Sequence, residues 1–118
     1  MDRIERERAI EAPLERMWAA LADPTRRAVL EVVARHAEAT ATLAARELPV
    51  SRQAVVKHLG VLDEAGLVTS RRQGREVRYR VCVGPMRVTA RWLEAAADDW
   101  DARLAAIRET AEEGSECG

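Results

Sequence analysis

The chain has 118 residues, 47% of them apolar and 33% charged, enough for one modest core and too little for two. No apolar run approaches the roughly 18 residues of a membrane span, and Met1-Asp2-Arg3-Ile4-Glu5-Arg6 lacks the apolar centre of a signal peptide, so a cytoplasmic protein with no membrane contact is expected. The formal net charge of −1 hides an asymmetry: residues 51–80 hold seven basic and three acidic side chains, residues 81–118 four and eight. Leu14, Met17, Trp18 and Leu21 stand at helical spacing and predict a first helix over residues 14–22. Asp23-Pro24 then reads as a helix cap with proline at the first helical position, and Val29, Leu30, Val32 and Val33 form the inner face of a second helix fading near His36. Thr40 caps a short third helix, Ala41 to Glu47, with Leu43 facing inward; Leu48-Pro49 stops it, because proline disfavours helical geometry in the residue before it. Ser51 caps a fourth helix running to about Ala65, where Gly66 supplies the left-handed residue that commonly ends a helix. Residues 67–72 and 76–83 read as two strands joined through Gln73-Gly74-Arg75, with Val77, Tyr79, Val81 and Val83 alternating with mostly polar neighbours. Residues 86–113 read as one long helix, and the whole as a single domain over residues 1–118, mainly α with an α+β character.

On a helical wheel the fourth helix separates into two faces. Val55, Leu59 and Leu62 lie together with Ser51 and His58 beside them, whereas Arg52, Gln53, Val56, Lys57 and Gly60 lie opposite. The second set carries what reads base edges: arginine for guanine, glutamine for adenine, and an apolar valine for a thymine methyl. The competing reading is an ordinary solvated face. Arg71, Arg72, Arg75 and Arg78 crowd the hairpin, beyond what is needed to keep an edge strand from pairing, and arginine suits phosphate and the minor groove. His58, on the inner edge, is expected as a packed or phosphate-touching imidazole.

Three segments together resemble the signature of ArsR-type (ArsR/SmtB) repressors. They are Ala20-Leu-Ala-Asp23-Pro24-Thr25-Arg26-Arg27-Ala-Val-Leu30, Val50-Ser51-Arg-Gln-Ala-Val-Val-Lys57-His58-Leu59-Gly-Val-Leu62-Asp-Glu-Ala65-Gly66-Leu67-Val68, and Gly74-Arg75-Glu76-Val77-Arg78-Tyr79-Arg80-Val81. The resemblance implies a winged helix-turn-helix protein, with the helix-turn-helix over residues 40–65, a two-stranded β-hairpin wing over 67–83, and long terminal helices forming a dimer interface. It further implies a repressor that binds double-stranded operator DNA as a homodimer on a pseudo-palindromic site. On that reading Ser51, Arg52, Gln53, Val56, Lys57 and His58 of the recognition helix, and Arg71, Arg72, Arg75 and Arg78 of the wing, meet DNA.

The last helix carries its own evidence for a partner. Met86, Ala90, Leu93, Ala97, Trp100, Leu104, Ile107 and Ala111 recur in alternating steps of four and three, a heptad seam narrower than a core-facing stripe. With Leu14, Met17, Trp18 and Leu21 of the first helix, Leu93, Ala97, Trp100, Leu104 and Ile107 are the expected dimer contacts, and Trp92 is adjacent to the seam. The alternative is that this helix folds back as core.

The chain departs from the metal-sensing pattern of the family. The third helix has no thiol and the last helix no histidine, and His36, His58, Cys82 and Cys117 fall on four different elements. Zinc and softer metals need several such ligands converging on one point. The metal-independent branch is therefore expected, with no metal and no cofactor; a small-molecule inducer is left unknown. His36 is expected near a helix C-terminus, and Cys82 exposed. Asp98, Asp99 and Asp101 read as solvated helix surface. No phosphate loop, nucleophile elbow or HExxH argues for an enzyme. Three other readings stand beside the main one: a cysteine-based redox-responsive or metal-responsive repressor, a winged-helix protein-interaction module that binds no DNA, and, from residues 8–21, a resemblance to the opening of START-like lipid-binding domains, which would need a long sheet around a cavity.

Overall fold

The computed structural model describes residues 14–111. In chain order it holds α1 (residues 14–22), α2 (Pro24–Arg35), α3 (Ala41–Glu47), α4 (Arg52–Glu64), β1 (Val68–Gln73), β2 (Glu76–Val81) and α5 (Gly84–Ala111). Residues 8–13, residues 112–113 of the expected last helix, and Cys117 lie outside the described residues.

The joint between α1 and α2 is built from Asp23-Pro24-Thr25-Arg26-Arg27. The Asp23 carboxylate accepts from the backbone N–H of Thr25 at 2.8 Å and of Arg26 at 3.1 Å, satisfying donors that the start of a helix leaves free. The Arg26 guanidinium turns back to the carbonyls of Ala19 (3.1 Å) and Ala20 (3.3 Å), and Arg27 donates to the carbonyl of Leu21. These donors close the C-terminus of α1, the negative end of its dipole. Arg26 and Arg27 thus serve the fold.

Val29, Val32 and Val33 of α2, Val55, Leu59 and Leu62 of α4, and Leu67 and Val68 at the start of the hairpin are fully buried and form the core. Helix α3 adds Ala41 and Ala44. Leu43, expected to face inward, is only half-buried. In a seven-residue helix the two small alanines occupy the packed face, and the larger side chain stays at its rim. Helix α4 ends in three closely spaced hydrogen bonds: Ala65 N–H to Val61 O, Gly66 N–H to Asp63 O, and Leu67 N–H to Leu62 O. Gly66 has φ +78°, and a β-carbon there would meet Pro85 Cγ at 3.6 Å, an ordinary contact, so backbone conformation rather than space calls for glycine.

The strands pair antiparallel from Val68↔Val81 to Gln73↔Glu76. Of the two loop residues only Gly74 has positive φ, the pattern of a II′ turn. The loop after α2 docks on the outer edge of β2, where Ala39 and Tyr79 exchange backbone hydrogen bonds of 3.0 and 2.8 Å. This register puts Thr69, Arg71, Glu76, Arg78 and Arg80 on one face of the hairpin, and Val68, Arg72, Val77, Tyr79 and Val81 on the other. The expected alternation holds only in part. Val77, Tyr79 and Val81 are half-buried, but so is Arg78, and Val83 lies beyond the strand and is exposed. Cys82, expected to be exposed, is half-buried, its N–H bound to the carbonyl of Leu67.

The chain divides into two compact units, Met1–Pro85 and Met86–Gly118. Apart from its first two residues α5 lies in the second unit, and it starts at Gly84 rather than at residue 86. Along this helix Leu93, Trp100, Leu104 and Ile107 are exposed, as are Val88 and Trp92 on a neighbouring flank. In the first unit Met17 and Ala20 of α1 are buried, Leu14 and Leu21 are half-buried, and Trp18 is exposed.

Candidate nucleic-acid interface

Helix α4 is held by its apolar side and presents its polar one. Ser51 caps it, its hydroxyl accepting from Ala54 N–H at 3.1 Å, and Val55, Leu59 and Leu62 are sealed in the core. The opposite residues, Arg52, Gln53, Val56, Lys57 and Gly60, are all exposed, as the helical wheel requires. Arg52 is steadied by a 3.2 Å hydrogen bond from its Nε to Thr42 Oγ1 of α3. That leaves its two terminal nitrogens without a hydrogen-bond partner among the described residues. His58 is half-buried, and its Nδ1 is enclosed without a partner among the described residues. It faces the core side of α4, beside the Asp23 joint, whose carboxyl is held below its ordinary value by the Arg26 and Thr25 backbone N–H groups.

Between α3, the first turns of α4 and the wing lies a groove of about 580 Å³. Its walls include Arg46, Arg52 and Arg75 together with Val56, Val77 and Tyr79. Among the described residues Glu76 is the one carboxylate lining it. Arg46, Lys57, Arg72 and Arg75 form no ion pair among the described residues, so the groove, with Arg46, Arg52 and Arg75 against Glu76, keeps a net positive concave surface fit for a polyanion.

The other wing arginines are differently placed. Arg71 donates from Nε and Nη2 to the two Glu38 oxygens at 3.0 and 2.9 Å, Arg80 reaches Glu38 at 3.4 Å, and Arg78 lies 3.9 Å from Glu38 and 3.6 Å from Glu76. The Arg71 hydrogen bonds hold the Glu38 carboxyl below its ordinary value, and Glu38 in turn raises Arg71. Of the four wing arginines expected to meet DNA, Arg72 and Arg75 therefore have no ion-pair partner among the described residues, while Arg71 and Arg78 have one.

The sequence reading missed Glu38 and Arg46. Glu38 sits in a loop 33 residues before Arg71, and no local pattern joins them. Arg46 lies on α3, outside the basic segment, and only the packing of α3 on α4 brings it to the groove. His36 is the cap at the end of α2, as a residue near a helix C-terminus should be, but its imidazole also contacts Glu47 at 2.6 Å, beside an Arg35–Glu47 pair at 3.2 Å. Among the described residues no three of His, Cys, Asp and Glu converge as metal ligands would.

Comparison with known proteins agrees with this geometry. A helix-turn-helix domain family matches residues 21–71. An ArsR-like transcriptional regulator from Rhodococcus sp. RHA1 superposes with a TM-score of 0.81 at 44% identity, over 91% of this chain and 99% of that one. An HTH-type transcriptional regulator of Mycobacterium tuberculosis is 49% identical over 67 residues, which is 57% of this chain and 62% of that protein's length. A homodimeric winged helix-turn-helix DNA-binding domain from Mycobacterium bovis, described as a possible ArsR-family regulator, matches with a TM-score of 0.64 at 26% identity, over 80% of this chain and 86% of that one. At 44% identity over nearly the whole length of the Rhodococcus regulator, the likeness extends well beyond the helix-turn-helix, and the chain belongs to the ArsR family of winged helix-turn-helix transcriptional regulators.

Proposed function

We propose that this protein is a cytoplasmic repressor that binds a pseudo-palindromic operator as a homodimer, with one α4 of each protomer in successive major grooves. The observation that carries the reading is the split of α4 into a sealed apolar face and an open face of Arg52, Gln53, Val56 and Lys57 beside a net positive groove. Arg52 and Gln53 read base edges, Val56 touches a thymine methyl, and Lys57, Arg46, Arg72 and Arg75 take phosphate. Ser51 and His58 flank this face, the first as cap and the second as a packed support. No catalytic group is required, because repression follows from occupying the DNA.

The homodimer is supported by the exposed apolar residues of α5 and by the homodimeric state of the Mycobacterium bovis domain. Leu93, Ala97, Trp100, Leu104 and Ile107 supply the α5 contacts. Of the α1 contacts proposed with them, Trp18 is exposed, Leu14 and Leu21 are half-buried, and Met17 is buried within one chain.

Selection of duplexes from a randomised pool by the wild-type protein tests this. The expected winner has two related half-sites about 10 bp apart, centre to centre, and scrambling one half weakens binding more than tenfold. Failure to enrich any sequence, or enrichment of a single isolated half-site, refutes the proposal.

A further inference from the structure

Glu38 has no part in repression as proposed, yet it is the most heavily engaged carboxylate of the wing region. Its side chain is 21% exposed and meets three guanidinium groups, with Arg71 held in a two-pronged pair of 2.9 and 3.0 Å. A structural brace is the first explanation to consider. It is a weak one, because the same loop is already fixed to β2 by the two Ala39–Tyr79 backbone hydrogen bonds, and Ala39 itself is buried. Exposed ion pairs add little to stability, and the Arg71 side chain is 53% exposed. What the pair does change is charge. Arg71 lies three residues before the hairpin turn, directly across from Arg78, and a guanidinium there would otherwise be available to a phosphate beside the tip.

We propose that Glu38 is an intramolecular competitor of phosphate: its carboxylate occupies Arg71, with help from Arg80, and thereby lowers the affinity of the wing for DNA of any sequence. This rests on the DNA-binding function proposed for the chain. A carboxylate presents the same pair of acceptor oxygens to an arginine fork as a phosphate does. The exchange of one for the other is easy at this exposed site, so Glu38 acts as a graded restraint rather than a lock. Because phosphate contacts carry no sequence information, operator and non-operator duplexes are affected alike.

The test measures binding of wild type, Glu38→Gln, Arg71→Ala and the double variant to the selected operator and to a scrambled 24-bp duplex, between 50 and 200 mM salt. Glu38→Gln keeps the shape of the side chain and removes its charge. The expected result is several-fold tighter binding to both duplexes and a log–log salt slope steeper by about 0.9, an extra loss of about 3.5-fold across that salt range for one more phosphate neutralised. The operator-to-scrambled ratio stays within twofold of wild type, whereas a disturbed recognition helix would move it. Arg71→Ala flattens the slope less than Arg75→Ala does in the wild-type background, and by the full 0.9 or so when Glu38 is glutamine. An unchanged slope in Glu38→Gln, weaker binding by it, or tighter binding that persists after Arg71 is removed overturns the proposal while leaving DNA binding in place. Should Glu38→Gln fail to fold, Arg71→Ala decides alone: a flattening equal to that of Arg75→Ala overturns it, and a smaller one supports it. A wild-type protein that binds neither duplex overturns the DNA-binding function and this proposal with it.

Discussion

Truncating Trp100 and Leu104 to alanine tests the assembly most directly. In the single chain Trp100 is 59% exposed and Leu104 45%, and both lie on the heptad seam of α5. Taking about 250 Å² for a free tryptophan side chain and somewhat less for leucine, the two expose on the order of 200 Å² of apolar surface per protomer. About half of that would be lost when both become alanine. Two protomers then lose about 200 Å² of buriable surface, or about 5 kcal/mol at ~25 cal/mol per Å². That is more than a thousandfold in the dimer dissociation constant. Loss of the dimer removes the advantage of tethering two half-site binders, so operator affinity falls toward that of one half-site. Sedimentation velocity at about 1–50 μM would show the wild type as a dimer and the variant as a monomer. Circular dichroism checks that the variant keeps its helices, since the core of α2, α4 and the hairpin is untouched. A wild type that is monomeric across this range, or a variant that is dimeric with normal operator affinity, would refute the assembly through α5.

The remaining predictions concern DNA contact, the core, pH and metals. Arg75→Ala, which removes a wing guanidinium that has no ion-pair partner among the described residues, is expected to weaken all duplexes alike and flatten the salt slope by about one unit, whereas Gln53→Ala relaxes preference at one operator position by about 1–3 kcal/mol; the same affinities measured on single-base operator variants separate the two. Leu59, fully buried on the inner face of α4, is expected to cost about 2–5 kcal/mol as alanine, read by urea denaturation, and a smaller loss would show that the core closes over the gap. The carboxyls of Asp23, Glu38 and Glu47 titrate below their ordinary values: backbone N–H groups hold Asp23, the Arg71 pair holds Glu38, and at Glu47 burial works upward but the Arg35 and His36 hydrogen bonds outweigh it. Because each folded value is depressed, the stability they add is present above the unfolded value and is lost as pH falls through the folded one. Urea midpoints should therefore decline from about pH 4.5 downward, less steeply in a Glu38→Gln, Glu47→Gln variant, and an equal decline would show that these groups do not set the acid response. Zinc, cadmium and arsenite at micromolar levels are expected not to release operator DNA; release abolished by Cys82→Ser would reveal a metal site assembled across protomers.

Local signals in the chain determined the helices, their caps and the hairpin. Asp23-Pro24, Thr40, Ser51, Gly66 and Gly74 act within a few residues of themselves, through a cap oxygen or a positive φ, and each ends or begins an element where expected. The division of α4 into Val55, Leu59 and Leu62 against Arg52, Gln53, Val56 and Lys57 follows from helical periodicity alone, so the candidate reading face was visible without coordinates. Charge compensation was not. Arg71, Arg72, Arg75 and Arg78 look alike in sequence, and only the docking of the Ala39 loop on β2 brings Glu38 to one face of the hairpin and divides them into paired and unpaired. Arg46 became a candidate phosphate contact in the same way, through the packing of α3 beside α4, and only the fold shows that Met17 is buried within its own chain. Caps and periodicity are short-range along the chain. Ion pairs and burial depend on residues tens of positions apart, so they exist only once the tertiary fold has closed.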